Sequence, residues 1–143
     1  MSPATHVRVL VLDGAGSLLL ARRRDPLSAH EVWEPPGGAI DSGERAADAA
    51  GRELREETGI VAAIDPDRSL QLHREYHWKG ERRSRDERIF LVRVARAEVR
   101  GAMDATEAAT FVEWRWLTED QVRLLGEDVY PAEPHAMARA LAG

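Results

Sequence analysis

Between Ala46 and Thr58 the sequence AADAAGRELREET has helical spacing, and it sets the hardest condition the rest of the chain must meet. With Glu53 at zero on a wheel of ~100° per residue, Glu57 falls near ~+40° and Glu56 near ~-60°. Ala46, Ala49 and Ala50 lie in or beside the same arc, and Arg45, Asp48, Arg52 and Arg55 lie on the other side. The small-residue side should face the body of the protein, so three carboxylates are expected to share it. Partly buried carboxylates a turn apart raise each other's pKa and cost stability unless a cation compensates. Two arrangements meet that condition. One is a site for a hard divalent ion held by oxygen ligands. The other is an exposed acidic stripe paired along the helix with Arg52 and Arg55.

The flanking segments read as a mixed sheet with helices. His6 to Leu12 is a strand, interrupted by Arg8, and Asp13 to Gly16 turns it into a second strand, Leu18 to Ala21. Arg22 to Pro36 reads mostly as loop, and the two prolines before Gly37-Gly38 specify the backbone there tightly. Gly59 is placed to stop the helix. Leu70 to Trp78 and Arg88 to Ala95 read as strands around a charged loop, Lys79 to Glu87. Thr110 to Leu117 is a further strand. Thr118 with Gln121 opens a helix through a capping box, Gly126 ends it, and Pro134 to Ala142 is a short terminal helix. Strands in hairpins with helices after them predict one α/β domain over 1–143, its sheet covered by helices on both sides.

Composition narrows the function. The 143 residues suit one domain with a real core. The net charge of -5 argues against a general nucleic-acid coat or a membrane-surface protein. The chain has no cysteine, which removes disulfides, zinc-thiolate sites and cysteine nucleophiles. No apolar run is long enough for a signal-peptide core or a membrane span, so a cytoplasmic location is expected.

The spacing around the acidic turn is more specific. Gly38 is followed by five residues and Glu44, then by seven and Arg52-Glu53-Leu54, then by Glu56-Glu57 and Gly59-Ile60, with one residue between each of these groups. This resembles the Nudix box at every fixed position, nine of them over 23 residues. Trp33, Pro36 and Gly37 resemble its usual lead-in. The chain is thus similar to the Nudix (MutT-like) hydrolase family. That resemblance implies an α/β/α sandwich with a mixed β-sheet, and a hydrolase that cleaves a nucleoside diphosphate linked to another group, with Mg2+ or Mn2+ as cofactor. The linked group could belong to a nucleoside triphosphate, a dinucleoside polyphosphate, ADP-ribose or a nucleotide sugar.

The resemblance also implies residue roles. Glu53, Glu56 and Glu57 are the main metal ligands, and Glu57 or Glu53 also contacts the nucleophile. Arg52 orients these carboxylates, Glu44 partners Arg52, and Gly38 permits the turn and offers its backbone to metal or phosphate. A base or extra ligand is expected from the loop Gly101 to Ala109. Glu107 is the first candidate, with Asp104, Glu98 and a box glutamate as rivals. Tyr76, sixteen residues past Ile60, matches a dinucleoside-polyphosphate position, although strand packing also accounts for it. Arg22, Arg23 and Arg24, and Arg82, Arg83, Arg85 and Arg88, can meet phosphate oxygens or simply be solvated; Arg23 is taken as the substrate-binding member of the first group. The partner is then a small nucleotide, and the sequence leaves homodimerisation open. The alternative is a nucleotide-binding regulatory module of the same fold without catalysis; such modules usually lose box glutamates, and this chain keeps them. An isoprenoid-diphosphate isomerase of this fold would want a cysteine.

Overall fold

The computed structural model describes residues 2–143. Strand β1 (His6–Leu12) is buried on both faces, and this decides the layering. Alternate residues of a strand point to opposite sides. Val7, Val9 and Val11 therefore join Leu19, Phe90 and Val92 in a core that also holds Ala49, Ala50 and Leu54 of helix α1 (Ala46–Thr58). Leu10, on the other face, packs with Leu18 and Ile89 against Ala138 and Leu141 of the terminal helix. The sheet thus lies between helices. Burying Leu54 completely stabilises the α1 contact by about 1.5–3 kcal/mol.

The remaining elements are β2 (Leu18–Arg24), β3 (Glu31–Glu34), β4 (Gly37–Ala39), β5 (Ser69–Trp78), β6 (Glu81–Arg93), α2 (Ala105–Thr110), β7 (Phe111–Leu117), α3 (Glu119–Leu124), β8 (Asp128–Val129) and α4 (Pro134–Ala142). The sheet runs β5-β6-β1-β2-β3-β8, with β4 on β1 and β7 on β2. It is mixed, because β1 pairs β6 in parallel and β2 antiparallel. The β1–β2 hairpin has one register pair, Leu12↔Leu18, and then the strands part. β1 continues along β4 and β6, and β2 along β3 and β7. The hairpin turn is stapled by Asp13, whose Oδ1 accepts from the N–H of Ala15 and Ser17.

The bounds of α1 and α4 match the sequence reading, and Gly59 ends α1 in the left-handed region at φ 77°. The Thr118–Gln121 capping box is present, in both directions. Three readings need correction. Arg22 to Pro36 is not mostly loop: β2 runs to Arg24, and Glu31–Glu34 pairs back onto Ala21–Arg24. The charged stretch from Glu81 to Glu87 is strand, and only Lys79 and Gly80 form the turn, both at positive φ. The loop Gly101 to Ala109 contains α2, begun by Asp104, whose side chain accepts from the N–H of Glu107. No helix is long and apolar enough to cross a membrane among the described residues.

Candidate functional site

Helix α1 and the strand before it fix two carboxylates side by side. Glu53 and Glu57 sit a turn apart and inward, 8% and 4% exposed. α2 brings Glu107 to them, so that one carboxylate oxygen from each of the three lies within 4.8 Å of the others. The Gly37 N–H donates to Glu57 Oε2 at 3.1 Å. A Cβ on Gly38 would fall 2.6 Å from Glu53 Oε1, so only glycine leaves room there for that carboxylate. Glu56 stands apart from the trio, with its side chain half exposed and Arg52 Nη1 3.2 Å from its Oε2.

Arg52 organises the helix side of the site. Its Nε and Nη2 donate to the two oxygens of Glu44 at 2.9 Å each, Nη1 to Glu53 Oε1 at 2.9 Å, and Nη2 also to the Ala39 carbonyl at 3.0 Å. Hydrogen bonds from Arg52 and from the Asp41 N–H hold Glu44 down at about 2. One guanidinium thus ties the helix to the end of β4 and sets the direction of Glu53.

The trio fits a hard cation. Burial pushes Glu57 up to about 8; the Arg23 guanidinium pulls the other way, and hydrogen bonding and charge from Glu107 add to the rise. Burial also raises Glu53, against the hydrogen bond and charge of Arg52. Oxygen donors that are costly to ionise together are the donor set for Mg2+ or Mn2+. A linkage follows. Glu57 has a folded-state pKa above its unfolded value of 4.5, so its contribution to stability is present below about 4.5 and lost as pH rises through about 8. A cation held by these carboxylates would remove that loss. Magnesium should therefore raise Tm by more at pH 8.5 than at pH 5.5, by several degrees on the scale of about 2–8 °C per kcal/mol. Scanning calorimetry at both pH values, with and without EDTA, checks this; an equal magnesium effect at both would refute it.

A groove of about 480 Å³ adjoins the trio. Its walls carry Arg23, Tyr76, Trp78, Arg83, Arg85 and Lys79. Arg83 and Arg85 share one side of β6, and Arg82 and Arg88 are not among the lining residues. Arg22 is taken up by Glu31, Glu113 and Glu127, and Arg24 by Glu31. Arg23 is 8% exposed; its Nη1 donates to the Glu107 carbonyl at 3.1 Å and its Nη2 lies 3.6 Å from Glu57 Oε1. The Tyr76 ring packs on the Arg74 guanidinium, 4.0 Å from its centroid. Asp104 lines the groove but caps α2, and Glu98 pairs with Arg100 at the surface.

Sequence reasoning missed the groove's floor. Arg8, Glu34, Arg74 and Glu87, each under 9% exposed, form a buried ionic array there. The signal was available in Arg8: an arginine inside a strand buried on both faces requires carboxylate partners from elsewhere.

A family model described as NUDIX domain matches residues 2–139. The RNA pyrophosphohydrolase of Novosphingobium aromaticivorans is 32% identical, covering 81% of this chain and 78% of its own length. The RNA pyrophosphohydrolase of Roseobacter denitrificans is 33% identical, covering 78% and 74%. Among solved structures, a MutT protein from Methanosarcina mazei Go1 superposes with a TM-score of 0.68 at 22% identity, over 97% of this chain and 92% of that one. A C. elegans Ap4A hydrolase in a binary complex superposes with a TM-score of 0.65 at 24% identity, over 98% and 96%.

Proposed function

The chain belongs to the NUDIX family, and from that premise we propose that it is a divalent-metal-dependent pyrophosphohydrolase cleaving the diphosphate linkage of a nucleoside diphosphate joined to another group. The observation that carries this reading is the trio of buried Glu53 and Glu57 with half-buried Glu107, whose oxygens converge beside a groove lined with arginine. The names RNA pyrophosphohydrolase and Ap4A hydrolase, borne by relatives, both point to a polyphosphate attached to a nucleoside.

Each side chain has a task in this reaction. Glu53 and Glu57 would hold Mg2+ or Mn2+, with Glu56 completing the ligand set if it turns inward and Gly38 keeping the backbone close. When bound, the cation supplies charge neutralisation at the diphosphate oxygens and makes nearby water more acidic. Arg52 keeps Glu53 aimed. Arg23 lines the groove beside Glu57 and is placed to meet the diphosphate, as a guanidinium fork does. Water forms a bond to phosphorus, the bridging P–O bond breaks, and the leaving phosphate departs as an anion. One proton of that water goes to a carboxylate, for which we assign Glu107, because Asp104 is engaged as the cap of α2. Tyr76 and Trp78, in the groove wall, offer aromatic surface to a base.

The test is a phosphate-release screen with magnesium over nucleoside triphosphates, oxidised nucleotides, dinucleoside polyphosphates, 5′-triphosphorylated RNA, ADP-ribose and nucleotide sugars. Turnover of at least one class that stops with EDTA is expected. Tight binding of a nucleotide with no turnover of any class would favour a regulatory module instead.

A further inference from the structure

Arg23 is held on two sides, and the second side has no role yet. Its Nε lies 3.4 Å from Glu34 Oε1, while Nη2 of the same planar group lies 3.6 Å from Glu57 Oε1. Glu34 is itself 7% exposed and is shared: Arg8 Nη1 is 3.4 Å from Oε1, and Arg74 Nη1 donates to Oε2 at 3.1 Å. Arg8 and Arg74 both reach on to Glu87, at 3.2 and 3.9 Å. Three guanidiniums and three carboxylates thus alternate beneath the groove, and Glu57 is the one carboxylate of the three that belongs to the candidate metal site. Arg23 has two carboxylate partners, Glu34 and Glu57. An arginine with one such partner would bind it as an ion pair and compete with any cation for it.

We infer that Glu34 is a positioning residue for the metal site: by taking part of the Arg23 guanidinium, it keeps that arginine from closing on Glu57 and leaves the Glu57 carboxylate free to receive a divalent cation. This rests on the metal-dependent reading above and adds to it a residue outside the box. The direction of the effect is specific. Neutralising Glu34 leaves Glu57 as the sole carboxylate partner of Arg23, so cation binding weakens. Removing Arg74 takes a competitor away from Glu34, leaves Arg23 and Glu57 as they were, and does not weaken cation binding. Both changes damage the same buried array, so both lower thermal stability.

The experiment is a Mn2+ titration by calorimetry, free of substrate, on the wild type and on Glu34→Gln, Arg74→Met, Arg23→Ala and the double variant Arg23→Ala/Glu34→Gln, with Tm measured for each. Glu34→Gln is expected to weaken Mn2+ binding about fivefold or more. Arg74→Met should bind it no more weakly than the wild type despite a lowered Tm. In the Arg23→Ala background, Glu34→Gln should change nothing further. Unaltered affinity in Glu34→Gln, equal weakening in Glu34→Gln and Arg74→Met, or the same factor with and without Arg23 would each overturn the assignment. A wild type that takes up no Mn2+ would instead remove the metal reading itself, and this proposal with it.

Discussion

Replacing Glu57 with glutamine is expected to reduce metal-dependent turnover by about 10³-fold or more while making the metal-free protein more stable at pH 8. The two effects have one cause. Glu57 is 4% exposed, and burial raises it to about 8 from a usual 4.5. Keeping it in the fold at that pH therefore costs stability relative to the unfolded chain, where it ionises freely. Glutamine avoids the cost, and its amide oxygen still accepts the Gly37 N–H, so the loop stays in place. It cannot supply the charge that a cation needs. Steady-state kinetics and calorimetry on one preparation decide the matter. Turnover left unchanged would remove the assignment of Glu57, and a lowered Tm without metal would contradict the electrostatic account.

The second large effect separates two adjacent glycines. Gly37→Ala puts a Cβ 2.0 Å from the Val7 carbonyl oxygen, a backbone atom in the β1–β4 pairing. Nothing there can yield without breaking the ladder, so a loss of about 3 kcal/mol or more is expected, with a poorly folded product. Gly38→Ala puts its Cβ 2.6 Å from the end of the Glu53 side chain, which can swing. The fold should survive with a small drop in Tm, and kcat should fall about 100-fold as Glu53 leaves its place. Circular dichroism melts and turnover for the two variants check this. The same activity loss per degree of Tm in both would show that position 38 acts through stability alone.

Local signals account for what was legible beforehand. The bounds of α1 and α4 follow from helical spacing with a left-handed glycine after α1 and Pro134 opening α4. The capping box at Thr118 needs only four residues. The spacing from Gly38 to Ile60 named the carboxylates and the arginine that the structure places around α1. What sequence missed depends on pairing across distance. β3 is four residues long and exists because Ala21–Arg24 lies beside it. The charged start of β6 looks like loop by composition, yet Arg83 faces Tyr76 and Arg85 faces Arg74 in register across β5. Sequence singled out Glu107 as first candidate, and the structure brings it to Glu53 and Glu57; its role in catalysis is our proposal. Arg8 inside a buried strand signalled that carboxylate partners exist, but which ones could not be read, because Arg8, Glu34, Arg74 and Glu87 come from four strands.

The single register pair between β1 and β2 has a consequence for how the molecule responds to a ligand. Beyond Leu12↔Leu18 the two strands lead into opposite jaws: one carries β4 with Gly37 and Gly38, the other carries Arg23 and, through β3, Glu34. Backbone joins the jaws at the Asp13–Ser17 turn and again through Pro35-Pro36 between β3 and β4, and a ligand gripped by both adds a further tie. Saturating it at one hundred times its Kd would then add about 2.7 kcal/mol against unfolding. That gain should appear first as slowed amide exchange at the diverging ends of β2 and β4, ahead of any change in β5, which lies on the outer edge of the sheet.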